Sequence, residues 1–351
     1  MSDADHKYQQ ALLVKFVAQA VILELLIQIL LECRSSCTSL DTSQFLHYNI
    51  SVDFKSTDYK LLEGCEVIPA LLKWIGNKQR FAETIISYMP EVFNDYYEPF
   101  LGSGAVMAQL LEADRSRIYP RFEHAYGSDI LPFLIEIFQI VKTEPSKLTD
   151  YYEKEILKYY ENPDECYLRI RDRFNTNHNA LDFCLLSRTC YSGVIRFRKV
   201  DGYMSTPRGP HKPIAPLTFS KRLKIWSDLL EKASFRCESF DMAMDRAKDG
   251  DVVYCDPPYT HSQGIIYGAQ GFDIDILWKK IRECKGRGVK VILSINGTRE
   301  SKKKDISVVI PSDLFKREIY IDCGKSMIDR LQNSGQDMNN EQVHDKLCLT
   351  W

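Results

Sequence analysis

Two stretches of this sequence alternate short apolar segments with longer amphipathic ones, and a third stretch between them does not. From residue 67 the rhythm runs "DYYEPFL" as a strand, "AVMAQLLEAD" as a helix, "HAYGSD" as a second short strand and "LPFLIEIFQIVK" as a second helix. Residues 144 to 186 are helix-prone, charged and rich in Tyr, with no strand pattern among them. The rhythm returns at "SFRCESF" and "GDVVYCDPPY", then at the helix "DIDILWKKIRECKGRG" and the strand "VKVILSINGT". Parallel strands need a crossover, most often a helix, so this order predicts an α/β sheet that is interrupted and then continued. The expected domains are an N-terminal helical extension over 1–60, a discontinuous α/β domain over 61–143 and 234–351, and an inserted, mainly helical domain over 144–233.

At 351 residues the chain can bury a sizeable core, and 46 basic against 48 acidic residues give no global signal for a polyanionic partner. Any nucleic-acid surface must be local. The eleven cysteines are scattered, odd in number and without paired CxxC knuckles, which fits reduced thiols in a cytoplasmic protein with no metal site. The polar start "MSDADHKYQQ" is the wrong flank for a signal peptide. The following run, "ALLVKFVAQAVILELLIQILLEC", has the length of a membrane span but carries Lys15, Gln19, Glu24 and Gln28. A charge near the bilayer centre costs about 2.5 to 3.5 kcal/mol, so no membrane partner is expected. Such a helix is expected to bury itself against its own domain or to mediate self- or hetero-association.

Several short motifs carry chemistry. In "DVVYCDPPYTHSQG" a strand ends in an acid, Asp256, followed by a rigid turn and a projecting ring, Tyr259. Pro cannot donate to a ladder and ends the strand, and open α/β sheets bind ligands at that carboxyl edge. In "EPFLGSGAV", Gly102 and Gly104 stand between a strand and a helix, where they let the backbone approach a ligand. The third glycine of a dinucleotide fingerprint is missing, which favours a different adenosine-bearing cofactor. Asp129, 25 residues beyond Gly104, ends the second strand, where it reads either as a ribose-binding acid or as a helix cap. "LLKWIGNKQR" sets Trp74 beside a Gly-Asn turn flanked by lysines, either an ordinary loop or a cover for an adenosine. Residues 188 to 222 hold eight basic residues against one acid, with Tyr191, Phe197 and Tyr203 interleaved and "KVDG" suggesting a β-hairpin. That segment reads as a contact surface for phosphates and base edges, or as a solvated basic loop.

In order along the chain, "LLKWIGNK", "EPFLGSGAV", "SDI", "CYSGVIRF" with "GYMSTPRG", "GDVVYCDPPY" and "VILSINGT" resemble the Dam-type, D12-class adenine-specific DNA methyltransferases over about residues 68 to 300. The resemblance implies a Rossmann-like S-adenosylmethionine-dependent methyltransferase fold whose insertion is a target-recognition domain. It implies S-adenosyl-L-methionine as methyl donor, S-adenosyl-L-homocysteine as product, an adenine in double-stranded DNA as acceptor, and no metal. By position, Trp74 and Lys78 match cofactor-binding residues, as do Phe100, Gly102 and Gly104 in the glycine loop. Asp129 matches the acid on the ribose hydroxyls, and Phe240 and Asp241 fall where the family contacts the cofactor's adenine. Asp256, Pro257, Pro258 and Tyr259 match the catalytic DPPY, with Asp256 also beside the cofactor. Tyr191, Ser192, Val194, Arg196, Arg198 and Pro207 match positions that lie at the DNA.

An aromatic amine is a poor nucleophile because its lone pair is delocalised. If Asp256 and the Pro257 carbonyl accept both amine hydrogens, the nitrogen becomes more tetrahedral and attacks the sulfonium methyl in line. The base must first leave the stack, and Tyr259 is expected to stack on it. The family commonly has Asn where Ser192 stands and an "FNVP"-like run where this chain has "MSTP", so the recognition sequence does not carry over. The reading is a site-specific adenine-N6 enzyme, paired with a restriction endonuclease or solitary. An RNA enzyme and a catalytically silent DNA-binding or assembly subunit are the competing readings. The first 60 residues lie outside the resemblance and the last segment departs from it, with "LCLTW" expected to close the sheet.

Overall fold

The computed structural model describes residues 67–258, 272–299, 309–325 and 342–351, all within the compact unit Glu63–Trp351. The expected N-terminal helix and Tyr259 lie outside the described residues.

Among the described residues seven strands form one sheet: β1 (Asp95–Glu98), β2 (His124–Asp129), β3 (Ala233–Cys237), β4 (Val252–Cys255), β5 (Lys290–Arg299), β6 (Arg317–Lys325) and β7 (Gln342–Leu349). Their order is β3-β2-β1-β4-β5-β7-β6. The first five are mutually parallel, and β7 runs antiparallel to both β5 and β6, with Leu293 opposite Cys348. "LCLTW" thus joins the sheet as expected, but from inside it. The edge position goes to β6, for which the sequence reading had no strand.

Side-chain alternation sorts the sheet into two faces. Tyr96, Val252, Tyr254 and Ile292 belong to one buried cluster, while Tyr97, Val253, Cys255 and Val291 belong to the other. Helices α8 (Phe240–Arg246) and α9 (Ile274–Gly286) pack on the second face through Met244, Leu277 and Trp278. On the first face lie α1 (Ala82–Ser87), α2 (Ala105–Arg115) and α3 (Pro132–Thr143), with Leu110, Leu134 and Phe138 wholly buried. Covering both faces suits nearly continuous apolar strands such as "VVYC".

The segment without strand rhythm forms α4 (Pro145–Glu161), α5 (Pro163–Asn177), α6 (Ala180–Thr189) and, after an irregular stretch, α7 (Pro216–Leu229). Local chemistry sets their starts. Pro opens α4, α5 and α7, where a missing N–H costs nothing. Asn162 and Asn179 cap α5 and α6, Asn179 accepting from the Asp182 amide at 2.8 Å, an arrangement worth about 1 kcal/mol. Asp182, fully buried, takes the Arg173 guanidinium at 2.8 Å and also bonds the Tyr151 hydroxyl, tying α4, α5 and α6 together. Among the described residues no helix is long and apolar enough to cross a membrane.

Candidate active site

The chain runs outward from β1 to β2 and β3, then returns to β4 on the other side of β1, so the strand order reverses between β1 and β4. Crevices form at such a reversal. A cavity of about 390 Å³ opens there, within the usual range for small-molecule sites. Three carboxylates reach it from three strand ends: Glu98 closes β1, Asp129 closes β2 and Asp256 follows β4. Pro257 and Pro258 line it directly behind Asp256.

The glycine loop forms one wall. Gly102 has φ of +48°, a left-handed conformation, and a Cβ there would lie 2.9 Å from the Trp74 Nε1. Any side chain would be strained and would displace the indole, so Trp74 lies against bare backbone. The Gly102 amide donates to Asp129 Oδ2 at 3.1 Å, and the Leu131 amide at the start of α3 donates to Asp129 Oδ1 at 3.1 Å. Asp129 thus steadies a helix start and the glycine loop, as the capping reading expects, while lining the cavity. Burial pushes its pKa up to about 6 against those amides. Gly104 does not line the cavity; it precedes α2 and packs on Phe138, 3.1 Å from where a Cβ would be.

Lys78 is 7 % exposed and sits 2.9 Å from Asp256 Oδ1 and 3.7 Å from Asp345 Oδ2. Burial opposes its charge, but the two carboxylates and Tyr254 outweigh that and hold the ammonium above its ordinary value. Glu98, 3 % exposed, accepts from the Tyr96 hydroxyl at 2.8 Å. Burial pushes it up to about 8, with the Tyr96 bond opposing and the Asp256 charge adding to the rise. Glu98 and Asp129, two acids on one cavity, are thus both held above the ordinary carboxylate range by burial, a mark of functional sites.

The far end of the cavity is aromatic. Phe100 stacks on Phe240 with centroids 5.1 Å apart, and Phe272 meets them at 5.9 and 5.7 Å. Asp241, beside Phe240 in α8, lines the same end. The cavity thus gathers Trp74, Lys78, Phe100, Gly102 and Asp129 with Phe240, Asp241 and the Asp256–Pro258 turn. Sequence reasoning missed Glu98, Phe272 and Asp345. Glu98 was within reach, since it ends a strand as Asp129 and Asp256 do. Phe272 and Asp345 gave no such signal.

A second surface lies over residues 190–209. Cys190 bridges Arg208 and Phe197 bridges Met204, antiparallel, and the Arg198 amide donates to Tyr203 O at 3.0 Å across the "KVDG" turn. Ile195 and Phe197 point inward while Arg196 and Arg198 are exposed. Tyr191, Ser192 and Pro207 are exposed and Val194 is half-buried. None of the six expected DNA residues lines the cavity. Arg198 is already engaged: its Nε donates to Asp201 at 3.0 Å and its guanidinium lies 4.4 Å over the Tyr203 ring.

Residues 74–319 match the family model described as D12 class N6 adenine-specific DNA methyltransferase. A DNA adenine methylase of Vibrio cholerae is 31% identical over 281 residues, covering 75% of this chain and 94% of that protein. The type II methyltransferase M.MjaIII of Methanocaldococcus jannaschii is 31% identical, covering 65% of this chain and 84% of its own length. A DNA N-6-adenine-methyltransferase of Escherichia phage P1 is 26% identical, over 69% of this chain and 32% of that protein.

Proposed function

The chain belongs to the D12 class N6 adenine-specific DNA methyltransferase family, and from that premise we propose that its cavity binds S-adenosyl-L-methionine and presents it to an adenine flipped out of duplex DNA. The enzyme methylates adenine in DNA. The residues present fit the donor: a loop of bare glycine backbone, a half-buried acid for a diol at Asp129, and a pair of stacked rings at Phe100 and Phe240 for a purine. When bound, the donor supplies an electrophilic methyl group carried on a sulfonium.

The protein's part is to orient the acceptor. Asp256 and the Pro257 carbonyl accept the two amine hydrogens, drawing the nitrogen lone pair out of conjugation and aiming it. Pro257 suits this because its ring fixes the backbone that carries the carbonyl. Lys78, paired with Asp256, keeps that carboxylate oriented. Tyr259 stacks on the flipped base. The irregular segment 190–209 and the helices around it form the target-recognition region over 144–233, with Tyr191, Ser192, Val194, Arg196, Arg198 and Pro207 at the DNA. The type II name of one relative favours a modification role beside a restriction endonuclease, in the cytoplasm.

The observation that carries this reading is that the Asp256–Pro258 turn shares one cavity with the glycine loop and Asp129. The test is transfer of labelled methyl from S-adenosyl-L-methionine to unmodified DNA and, in parallel, RNA, with product nucleosides identified by mass. N6-methyladenine from DNA alone is expected. Asp256→Ala should lower turnover by about 10²- to 10³-fold or more while DNA binding persists; a variant that still turns over would remove the assigned role.

A further inference from the structure

Residues 67–76, which deliver Trp74 to the glycine loop, form neither helix nor strand, yet Leu71 and Leu72 are wholly buried. Buried backbone without a ladder must find hydrogen-bond partners elsewhere. For the Pro69, Ala70 and Leu71 carbonyls the partners are side chains of the helical insertion. The Trp226 Nε1 donates to Pro69 O at 2.8 Å and the Arg222 Nη1 to Ala70 O at 2.9 Å, both from α7. From α6, the Arg188 Nη1 donates to Leu71 O at 2.5 Å and reaches Ala70 O at 3.4 Å. Arg222 and Trp226 are four residues apart, one turn of α7, so a single helix face grips consecutive carbonyls.

The choice of residue is informative. Arg188 is 3 % exposed and its guanidinium lies 5.5 Å over the Phe219 ring, while Arg222 is half-buried. Neither pairs with a carboxylate among the described residues, and burial together with the charge of Arg188 lowers the Arg222 pKa. Two neighbouring cations, one buried and one half-buried, are costly to keep without an acid. An apolar pair would pack the same space, but only hydrogen-bond donors can hold the carbonyls and so fix the path of a coil. A few residues further on, that coil lays Trp74 on Gly102 and brings Lys78 to Asp256.

We infer that Arg188 and Arg222 are positioning residues for the methyl-donor site: they hold the Ala70 and Leu71 carbonyls so that Trp74 stays on the glycine loop, and they make the helical insertion a structural part of the cofactor pocket. The inference rests on the cofactor reading of the cavity.

The test is a double-mutant cycle on the full chain, with calorimetric binding of S-adenosylhomocysteine as readout. Arg222→Gln is the first variant because the side chain is half-exposed and its loss need not unfold the protein. Its dissociation constant should rise about tenfold, the scale of one lost charge-assisted hydrogen bond. Trp74→Ala should also weaken binding, and the double variant should bind no worse than Trp74→Ala alone, since Arg222 acts through the indole. Arg222→Lys, which keeps a donor and the charge, should recover most of the loss. Arg188→Lys should weaken binding in the same direction. An unchanged constant in Arg222→Gln, or a loss that adds in full to that of Trp74→Ala, would overturn the positioning role. A Trp74→Ala variant that binds like the parent would instead remove the cofactor reading of the cavity, and the inference with it.

Discussion

Three carboxylates stand at three strand ends on one cavity, and their surroundings differ. Asp256 has an ammonium at 2.9 Å, Asp129 has two backbone amides, and Glu98 has the Tyr96 hydroxyl and the Met107 amide to set against burial. Glu98 accordingly holds its proton up to about pH 8, against an ordinary value of 4.5. Between those values the native state keeps a proton that the unfolded chain has lost, so stability must fall as pH rises. The contribution is complete below pH 4.5, declines through the interval and is gone above about pH 8. Glu98→Gln, which is neutral at every pH, should flatten that slope and leave the variant more stable than the parent at pH 8.5, by an amount on the order of a few kcal/mol. Urea midpoints measured from pH 5 to 8.5 check this, and parallel curves for parent and variant would show that Glu98 is ionised throughout.

At the scale of elements, the coil that carries Trp74 is held from two sides. The α6 and α7 side chains take its carbonyls, and Gly193, at φ +70°, packs where a Cβ would lie 2.9 Å from the Lys73 Cβ and 3.0 Å from its backbone. Gly193 belongs to the irregular segment that bears Tyr191, Ser192 and Arg196, so the surface proposed to meet DNA and the wall proposed to hold the cofactor touch through backbone. Gly193→Ala should cost about 1–2 kcal/mol from the left-handed conformation alone. It should also push Lys73 away, weakening binding of both S-adenosylhomocysteine and DNA. Loss of one affinity without the other, measured by titration, would show that the contact does not join the two surfaces. This contact was not legible in the sequence. Helices such as "LPFLIEIFQIVK" announce themselves by their own period and strands such as "VVYC" by a short apolar run, and both stand where those signals put them. The bonds from Arg188 and Trp226 to a coil 117 and 157 residues away follow no period, so nothing local records them. The "KVDG" turn lies between, since its residues signal a reversal but its flanks pair only through isolated bridges.

For the whole molecule, the net charge of −2 makes any attraction to DNA depend on where the cations stand. The sequence offers eight in residues 188–222, and a count of charges would send all of them to phosphate. The fold removes half. Arg188 and Arg222 are spent on the carbonyls of Leu71 and Ala70, Arg198 is paired with Asp201, and Arg208 is paired with Asp164 at 2.6 Å. A guanidinium already neutralised by a carboxylate, or enclosed beneath a coil, displaces no counterion when a phosphate arrives. Arg196, Lys199, Lys212 and Lys221 remain from this segment, with Lys212 resting over the Tyr160 ring but still able to meet an anion. If these four carry the contact, the logarithm of DNA affinity should fall with the logarithm of salt at a slope of about −4, against about −7 if all eight took part. Binding isotherms between 50 and 200 mM salt on one duplex distinguish the two. Removing Arg196 with Arg196→Ala should flatten the slope by about one unit, while Arg198→Ala should leave it nearly unchanged because that charge is already answered by Asp201. A steep slope that Arg198→Ala reduces would mean that DNA opens the Arg198–Asp201 pair and that the recognition segment rearranges as it binds.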